Sequence, residues 1–207
     1  HSFLWSGDFS GFYGGLTISS KIPLRIYLGL EQIAGSEVEI ASDAMAYYPE
    51  RKRFEPMQLD SRLRRAMAES MTGISGYKIR VLTEIPLGAS LGGLGAMAAC
   101  MAALTEELKN KRTKEEQSRL DLFAKAWEIA RKLQTGRSMG ATAYTALCES
   151  KYPVVFYAEG DKYWAKSLDQ ISSLNDDPVW PIDYGLIFSG KYVQGAAVIA
   201  SAEEVKR

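Results

Sequence analysis

The chain has 207 residues, 46% of them hydrophobic, enough to bury a core for one domain or for one domain and part of another. Lys and Arg together number 25 and so do Asp and Glu, so no global field draws the protein to nucleic acid or to an anionic membrane surface, and a polyanion partner is a poor first expectation. The single histidine, His1, excludes an internal Ser/His or Cys/His dyad and a histidine-based zinc site, while Cys100 and Cys148 lie in apolar, Ala-rich stretches and read as core thiols rather than a disulfide framework.

In chain order, Ser2 to Ser6 reads as a strand, and a chain opening there without a Met is expected to be a piece of a longer protein. Leu16 to Leu30 is rich in Ile, Leu, Thr and Tyr, and Ile22, Leu24, Ile26 and Leu28 alternate with other residues, a strand signal with period two. Glu37 to Ala41 reads as a further strand, Leu59 to Ser70 as an amphipathic helix with an Arg-rich face, and Tyr77 to Glu84 as a strand running into Pro86. Ala96 to Leu108, built of Ala, Met, Cys and Leu, predicts a tightly packed core helix. A charged linker, Lys109 to Arg119, leads to a second long helix, Leu120 to Leu133, with Leu122, Phe123, Ala126, Ile129, Ala130 and Leu133 at helical spacing. Pro153 to Ala158 and Tyr184 to Ser189 are short apolar runs that read as strands. Strands mixed irregularly with helices predict an α+β fold. No apolar run approaches the ~20 residues of a membrane span and no signal peptide is visible, so a cytoplasmic location is expected.

The most informative segment is Glu84-Ile-Pro-Leu-Gly-Ala-Ser-Leu-Gly-Gly-Leu-Gly-Ala96, which joins a strand to a helix through several glycines. Glycines let backbone approach a ligand, and the free N–H groups at a helix N-terminus favour an anion such as a nucleotide phosphate. A phosphate cradle is one reading; a tight turn that lets the helix pack close to the strand is the other. No Gly-Lys-Ser/Thr follows, and the spacing of Gly88, Gly92, Gly93 and Gly95 is not the dinucleotide fingerprint.

This segment resembles the second motif of the GHMP kinases, the superfamily of galactokinase, homoserine kinase, mevalonate kinase and phosphomevalonate kinase, with Pro86, Gly88, Leu91, Gly92, Gly93 and Ala96 in register. Ser6-Gly-Asp-Phe-Ser-Gly-Phe-Tyr-Gly-Gly15 is similar to the sugar-kinase first motif, and Gly136-Arg-Ser-Met-Gly-Ala-Thr142 lies where the family has a glycine-rich turn after a helix. The resemblance implies a two-layer α+β N-terminal domain in the style of ribosomal protein S5 domain 2 over residues 1–180, with the beginning of a truncated second α+β domain in 181–207. It implies ATP-dependent phosphorylation of a hydroxyl on a sugar-like acceptor, with ATP phosphates held by Gly88, Ala89, Ser90, Leu91, Gly92, Gly93, Leu94, Gly95 and Ala96.

The departures fall on the charged chemistry. Leu94 and Gly95 stand where the family has paired serines, Ala130 or Arg131 where a helix glutamate completes the metal site, and Thr142 where the catalytic aspartate sits. Ser90 is the remaining candidate to supply a hydroxyl to Mg²⁺, with capping of a turn as its other reading. Glu128, two residues before Ala130, is expected on the opposite side of its helix. In the first motif Asp8 stands for the family's glutamate, while Phe9 and Gly11 replace the His and Asp that recognise sugar hydroxyls. Asp8 is read either as a substrate ligand or as a turn cap, and Tyr13 and Arg137 either as lining the same cleft or as surface residues. The competing function is a catalytically inactive relative that binds nucleotide or another anion as a sensor or partner module.

Overall fold

The computed structural model describes residues 2–6, 10–41, 45–48, 51–56, 59–71, 73–85, 91–113, 119–134, 136–160 and 162–171. Two antiparallel-rich sheets share one layer of helices, and the α+β class predicted from the irregular mixture of elements holds. The first sheet has the order β1 (Ser2–Ser6), β2 (Leu16–Lys21), β8 (Val154–Glu159), β9 (Lys162–Ser167), all antiparallel neighbours. It therefore joins the two ends of the described chain: Leu16 lies opposite Tyr157 and Ser19 opposite Val154.

The second sheet centres on β7 (Tyr77–Thr83). One edge of β7 carries β3 (Ile26–Gln32), antiparallel from Ile26 opposite Thr83 to Gln32 opposite Tyr77. The other carries β4 (Val38–Ile40) and then β5 (Met45–Tyr48), both parallel, and β5 turns back into β6 (Arg53–Pro56). A parallel return requires a crossover, and α1 (Ser61–Ser70) is the helix within it. The alternation in β7 is strict: Ile79, Val81 and Thr83 are buried, while Arg80 and Leu82 are exposed.

Each helix follows from its pattern. The α1 helix begins at Asp60, whose carboxylate accepts from the Arg62 N–H at 2.6 Å and satisfies one of the orphan donors of the first turn. Its inward face is Ala66, Met67 and Ser70, and its arginines face outward at 62 and 65. Asp60→Ala is expected to cost about 1 kcal/mol of stability in urea unfolding; an unchanged midpoint would show that the cap is dispensable. The α2 helix (Gly93–Thr113) is apolar all round through Ala96, Met97, Ala98, Met101 and Ala102, as a helix enclosed by others must be. It packs against β3, α3 (Arg119–Leu133) and α4 (Ala141–Leu147). Glu106 of α2 and Lys125 of α3 form a half-buried ion pair across the helix crossing. A last short helix, α5 (Leu168–Ile171), follows β9.

An aromatic group ties these parts together. Phe123 of α3 lies 4.6 Å from Tyr163 of β9, 5.1 Å from Tyr144 of α4, 5.6 Å from Trp127 and 5.9 Å from Phe156 of β8, measured between ring centroids. No helix among the described residues is long and apolar enough to cross a membrane.

Several expectations are corrected. Leu16 to Leu30 is not one strand but two, β2 and β3, in different sheets. The break falls at residues 22–25, where Pro23 has no N–H to give a ladder. There Arg25 and Glu84 hold the crossing instead: the Arg25 N–H donates to the Glu84 carboxylate and the Glu84 N–H to the Arg25 carbonyl, both at 2.8 Å. The core helix runs longer at both ends than Ala96 to Leu108, because Lys, Asn and Arg extend it to Thr113 into the stretch expected to be a linker. The β5–β6 hairpin, α4 and β9 were not anticipated. The strand expected at Tyr184 to Ser189 and the domain boundary at 180/181 lie outside the described residues.

Candidate functional site

The third glycine-rich segment, residues 136–142, links the other two: it touches the first turn of α2 on one side and the Ser10–Tyr13 turn on the other. The exit from β7 is held by Thr83, whose hydroxyl donates to the Ile85 carbonyl and accepts from the Ile85 N–H, each at 3.0 Å. Pro86, Gly88, Ala89 and Ser90 lie outside the described residues; Leu91, Gly92, Gly93, Leu94, Gly95 and Ala96 lie within them. Gly92 has φ +70°, a conformation that favours glycine, and its carbonyl accepts from the Ala96 N–H at 3.0 Å, the first bond of the helix. The N–H groups of Gly93, Leu94 and Gly95 thus fall among the first-turn donors that have no acceptor within the helix.

Gly95 is glycine because another helix occupies its side-chain space. A Cβ there would collide with Thr142 Oγ1 and stand 2.7 Å from Thr142 Cβ and 2.9 Å from the Ala143 nitrogen. The start of α4, the third glycine-rich segment, is therefore keyed into the start of α2. Gly140, at φ +80°, precedes α4, and a Cβ on it would stand 2.9 Å from the Trp127 ring. Trp127 in turn donates its indole N–H to the Ser138 carbonyl at 2.8 Å, with Arg131 stacked over the ring at 4.3 Å. Deeper in α4, Thr145 shares a 2.6 Å hydrogen bond with Ser19 of β2.

The first segment arrives from the other side. A 3₁₀ turn at Ser10–Tyr13 brings Gly11 against the 136–140 turn: a Cβ on Gly11 would stand 2.5 Å from Met139 Sδ and 2.7 Å from Thr17 Cγ2. Tyr13 and Arg137, each two residues from this Gly11–Met139 contact, are exposed. Asp8 lies outside the described residues.

Glu128 is exposed while Ala130 is fully buried, as their angular separation on α3 predicts; its carboxyl is held below the usual range, first by the hydrogen bond from Lys132. Glu106 is engaged with Lys125, and at 13 residues beyond Gly93 it stands roughly 20 Å down α2 from the loop. Burial pushes the Cys100 thiol up, as suits a core thiol.

The donor set can be tested against the two groups the resemblance implies. Anionic phosphate fits the first turn of α2, a long helix whose first N–H groups have no acceptor within the helix. Magnesium prefers several oxygen ligands, usually including carboxylates, and no group of three or more His, Cys, Asp or Glu side chains is gathered among the described residues. At the described part of the loop the side-chain oxygen in contact is the Thr142 hydroxyl. Ser90, the residue expected to add a hydroxyl for magnesium, lies outside the described residues.

Sequence reasoning placed the three segments in order but missed what joins them. Met139, Trp127 and Ser138 shape the turn, and the signal available was Gly140 before a short Ala-rich run, a helix start that was read only as a turn.

No family model matches the chain, and no curated protein does. Among solved structures, the fold is similar to that of L. major mevalonate kinase in complex with R-mevalonate, with a TM-score of 0.57 at 13% identity over 80% of this chain and 49% of that one. It is similar to Lactococcus lactis galactokinase complexed with galactose, with a TM-score of 0.56 at 15% identity over 80% of this chain and 45% of that one. It is similar also to a D-glycero-D-manno-heptose 1-phosphate kinase from Bacteriodes thetaiotaomicron, with a TM-score of 0.52 at 20% identity over 80% of this chain and 56% of that one. The chain thus spans about half the length of these kinases. The fold of the described residues is similar to that of the matching part of these kinases.

Proposed function

From that fold, we propose that the chain is the phosphate-binding part of an ATP-dependent small-molecule kinase that phosphorylates a hydroxyl on a sugar-like acceptor. The observation that carries this reading is the linkage of three separated segments through residues 136–142, Gly11 against Met139 on one side and Gly95 against Thr142 on the other, the latter contact at the N-terminal turn of a 21-residue helix. In this reading the backbone N–H groups of Gly93, Leu94 and Gly95 hold the nucleotide's phosphates. Tyr13, Arg137 and Asp8 are the candidates to hold the acceptor. The acceptor oxygen bonds to the terminal phosphorus, the bond from that phosphorus to the bridging oxygen breaks, ADP leaves, and the hydroxyl proton is released. Positioning and charge stabilisation carry most of such a transfer. Magnesium, when bound, would neutralise phosphate charge; Ser90 is the sequence's candidate to hold it.

A second reading has its own support. Thr142 occupies the expected aspartate position, and a threonine hydroxyl does not act as a base at neutral pH. A domain that binds nucleotide without transferring phosphate accounts for that substitution.

The test is calorimetric titration of ATP, with Mg²⁺ and with chelator, followed by an ADP-release assay. Mevalonate, galactose and heptose 1-phosphate, taken from the structurally similar kinases, are the first acceptors. Saturable ATP binding with acceptor-stimulated ADP release is the expected result. ATP binding without ADP release for any acceptor would favour the second reading, and no ATP binding would overturn both.

A further inference from the structure

We propose that the outer edge of β3 is a self-association surface, on which a second copy of this chain pairs antiparallel about a two-fold axis at Gly29. The proposal is independent of the nucleotide reading above.

The ladder to β7 fixes which groups that edge offers. The Glu84 N–H donates to the Arg25 carbonyl and the Ile33 N–H to the Gly76 carbonyl. In the register that sets Ile26 opposite Thr83 and Gln32 opposite Tyr77, the odd-numbered residues of β3 therefore bond to β7. The even-numbered ones, Ile26, Leu28, Leu30 and Gln32, turn their N–H and C=O groups the other way. On that side the Cys100 thiol of α2 meets the Ile26 carbonyl at 3.8 Å, and no described strand pairs with the rest. The other ends of the two sheets are blunted against pairing. The β6 strand carries Arg53, Glu55 and Pro56, β9 carries Lys162 and Lys166, and β1 has a register irregularity between Leu4 and Ser6. By contrast, β3 is seven residues long and has no charged side chain from Ile26 to Leu30.

The strand's own symmetry points to a second copy as the occupant. An axis at Gly29, the middle residue of β3, pairs even-numbered residues with even-numbered ones along the whole strand, so outward-facing groups meet outward-facing groups. An axis between two residues would set them against groups already bonded to β7. Half-buried Leu28 then lies opposite Leu30 of the second copy, and Gly29 lies opposite itself, bringing no side chain to the axis. Tyr27, 43% exposed, falls opposite Glu31 of the second copy. Arg25, hydrogen-bonded to Tyr27, comes within diagonal reach of that same Glu31. The basic start of each strand is thus laid along the acidic end of the other. The formal net charge of the chain is zero, so no net repulsion opposes the meeting of two copies. Beside the edge, α2 presents half-buried Cys100 and exposed Ala103, little bulk against the same helix of a second copy, which the axis places on the same side of the joined sheet.

Sedimentation velocity of the chain across the micromolar range, joined to amide hydrogen exchange, tests this. The expected result is a concentration-dependent dimer in which the Leu28, Leu30 and Gln32 amides gain protection as concentration rises, while the Tyr27, Gly29 and Glu31 amides are protected throughout. A chain that stays monomeric, or a dimer whose Leu28 and Leu30 amides stay open, would overturn the proposal. Leu30→Lys puts a lysine on the edge and is expected to raise the dimer Kd about tenfold or more, with the thermal midpoint reporting its folding. Two charge variants leave the half-buried face alone. Arg25→Glu and Glu31→Arg each set like charges together in a homodimer, and each is expected to weaken it about threefold to tenfold. An equimolar mixture of the two restores opposite charges at both contacts and should dimerise as the parent does. A mixture that associates no better than either variant alone would rule out antiparallel pairing about Gly29.

Discussion

Gly140→Val is expected to cost about 3–5 kcal/mol of stability, combining the strain of a β-branched residue at positive φ with overpacking of a filled space. Gly140 has φ +80°, and its missing Cβ is replaced by the Trp127 ring at 2.9 Å. The indole is pinned by its bond to the Ser138 carbonyl and by Arg131 above it, so it cannot simply swing away. Gly136 supplies an internal control, since it too has a positive φ, +90°, but nothing stands within 4 Å of its absent Cβ. Gly136→Ala should therefore show backbone strain alone, about 1–2 kcal/mol. Urea unfolding of both variants separates the two contributions. Equal losses would mean that Trp127 yields freely, and that the turn before α4 is not clamped as described.

Phe123→Ala is expected to cost about 3–5 kcal/mol, the range for removing a buried phenyl ring from a core that cannot collapse around the gap. Phe123 is 2% exposed, and its four aromatic neighbours come from α3, α4, β8 and β9. These elements belong to both the helical layer and the first sheet, so the vacancy would have walls that are separately anchored. Phe123→Leu should recover much of the loss, costing about 1–2 kcal/mol through imperfect shape. Denaturant midpoints and near-ultraviolet circular dichroism would follow both. A Phe123→Ala loss under 1 kcal/mol would show that the aromatic group rearranges rather than acting as a rigid junction.

The parts of the fold legible in the sequence are those whose periodicity was long and uninterrupted. Ile79, Val81 and Thr83 alternate with Arg80 and Leu82, and α3 repeats Phe123, Ala126, Ile129, Ala130 and Leu133 on one face; both were found within a residue or two of their observed ends. The elements that escaped notice are short or depend on distant partners. The β9 strand carries lysines at both ends and owes its existence to β8, and the β5–β6 hairpin is four residues on four, around a run of Arg, Lys and Arg. The split at Pro23 escaped because alternation continued across it, while the chain changed sheets. For the site, glycines announced a close approach but not to what. The contacts of Gly95 with Thr142 and of Gly11 with Met139 bridge widely separated segments, and no local pattern encodes a neighbour so far along the chain.

The first sheet has a consequence for how the protein is made. Thr17 of β2 donates to the Phe156 carbonyl of β8, 139 residues later, so β2 has no permanent partner on that edge until the described chain is nearly complete. At about 5–20 residues per second of synthesis, that interval is on the order of ten seconds. During it, the β1–β2 pair waits with an open edge while α2 and α3, whose contacts are local, assemble ahead of it. The helical layer is then the template on which the two ends of the described chain are joined, and conditions that slow elongation lengthen the exposure of the β2 edge more than that of any other described strand pairing.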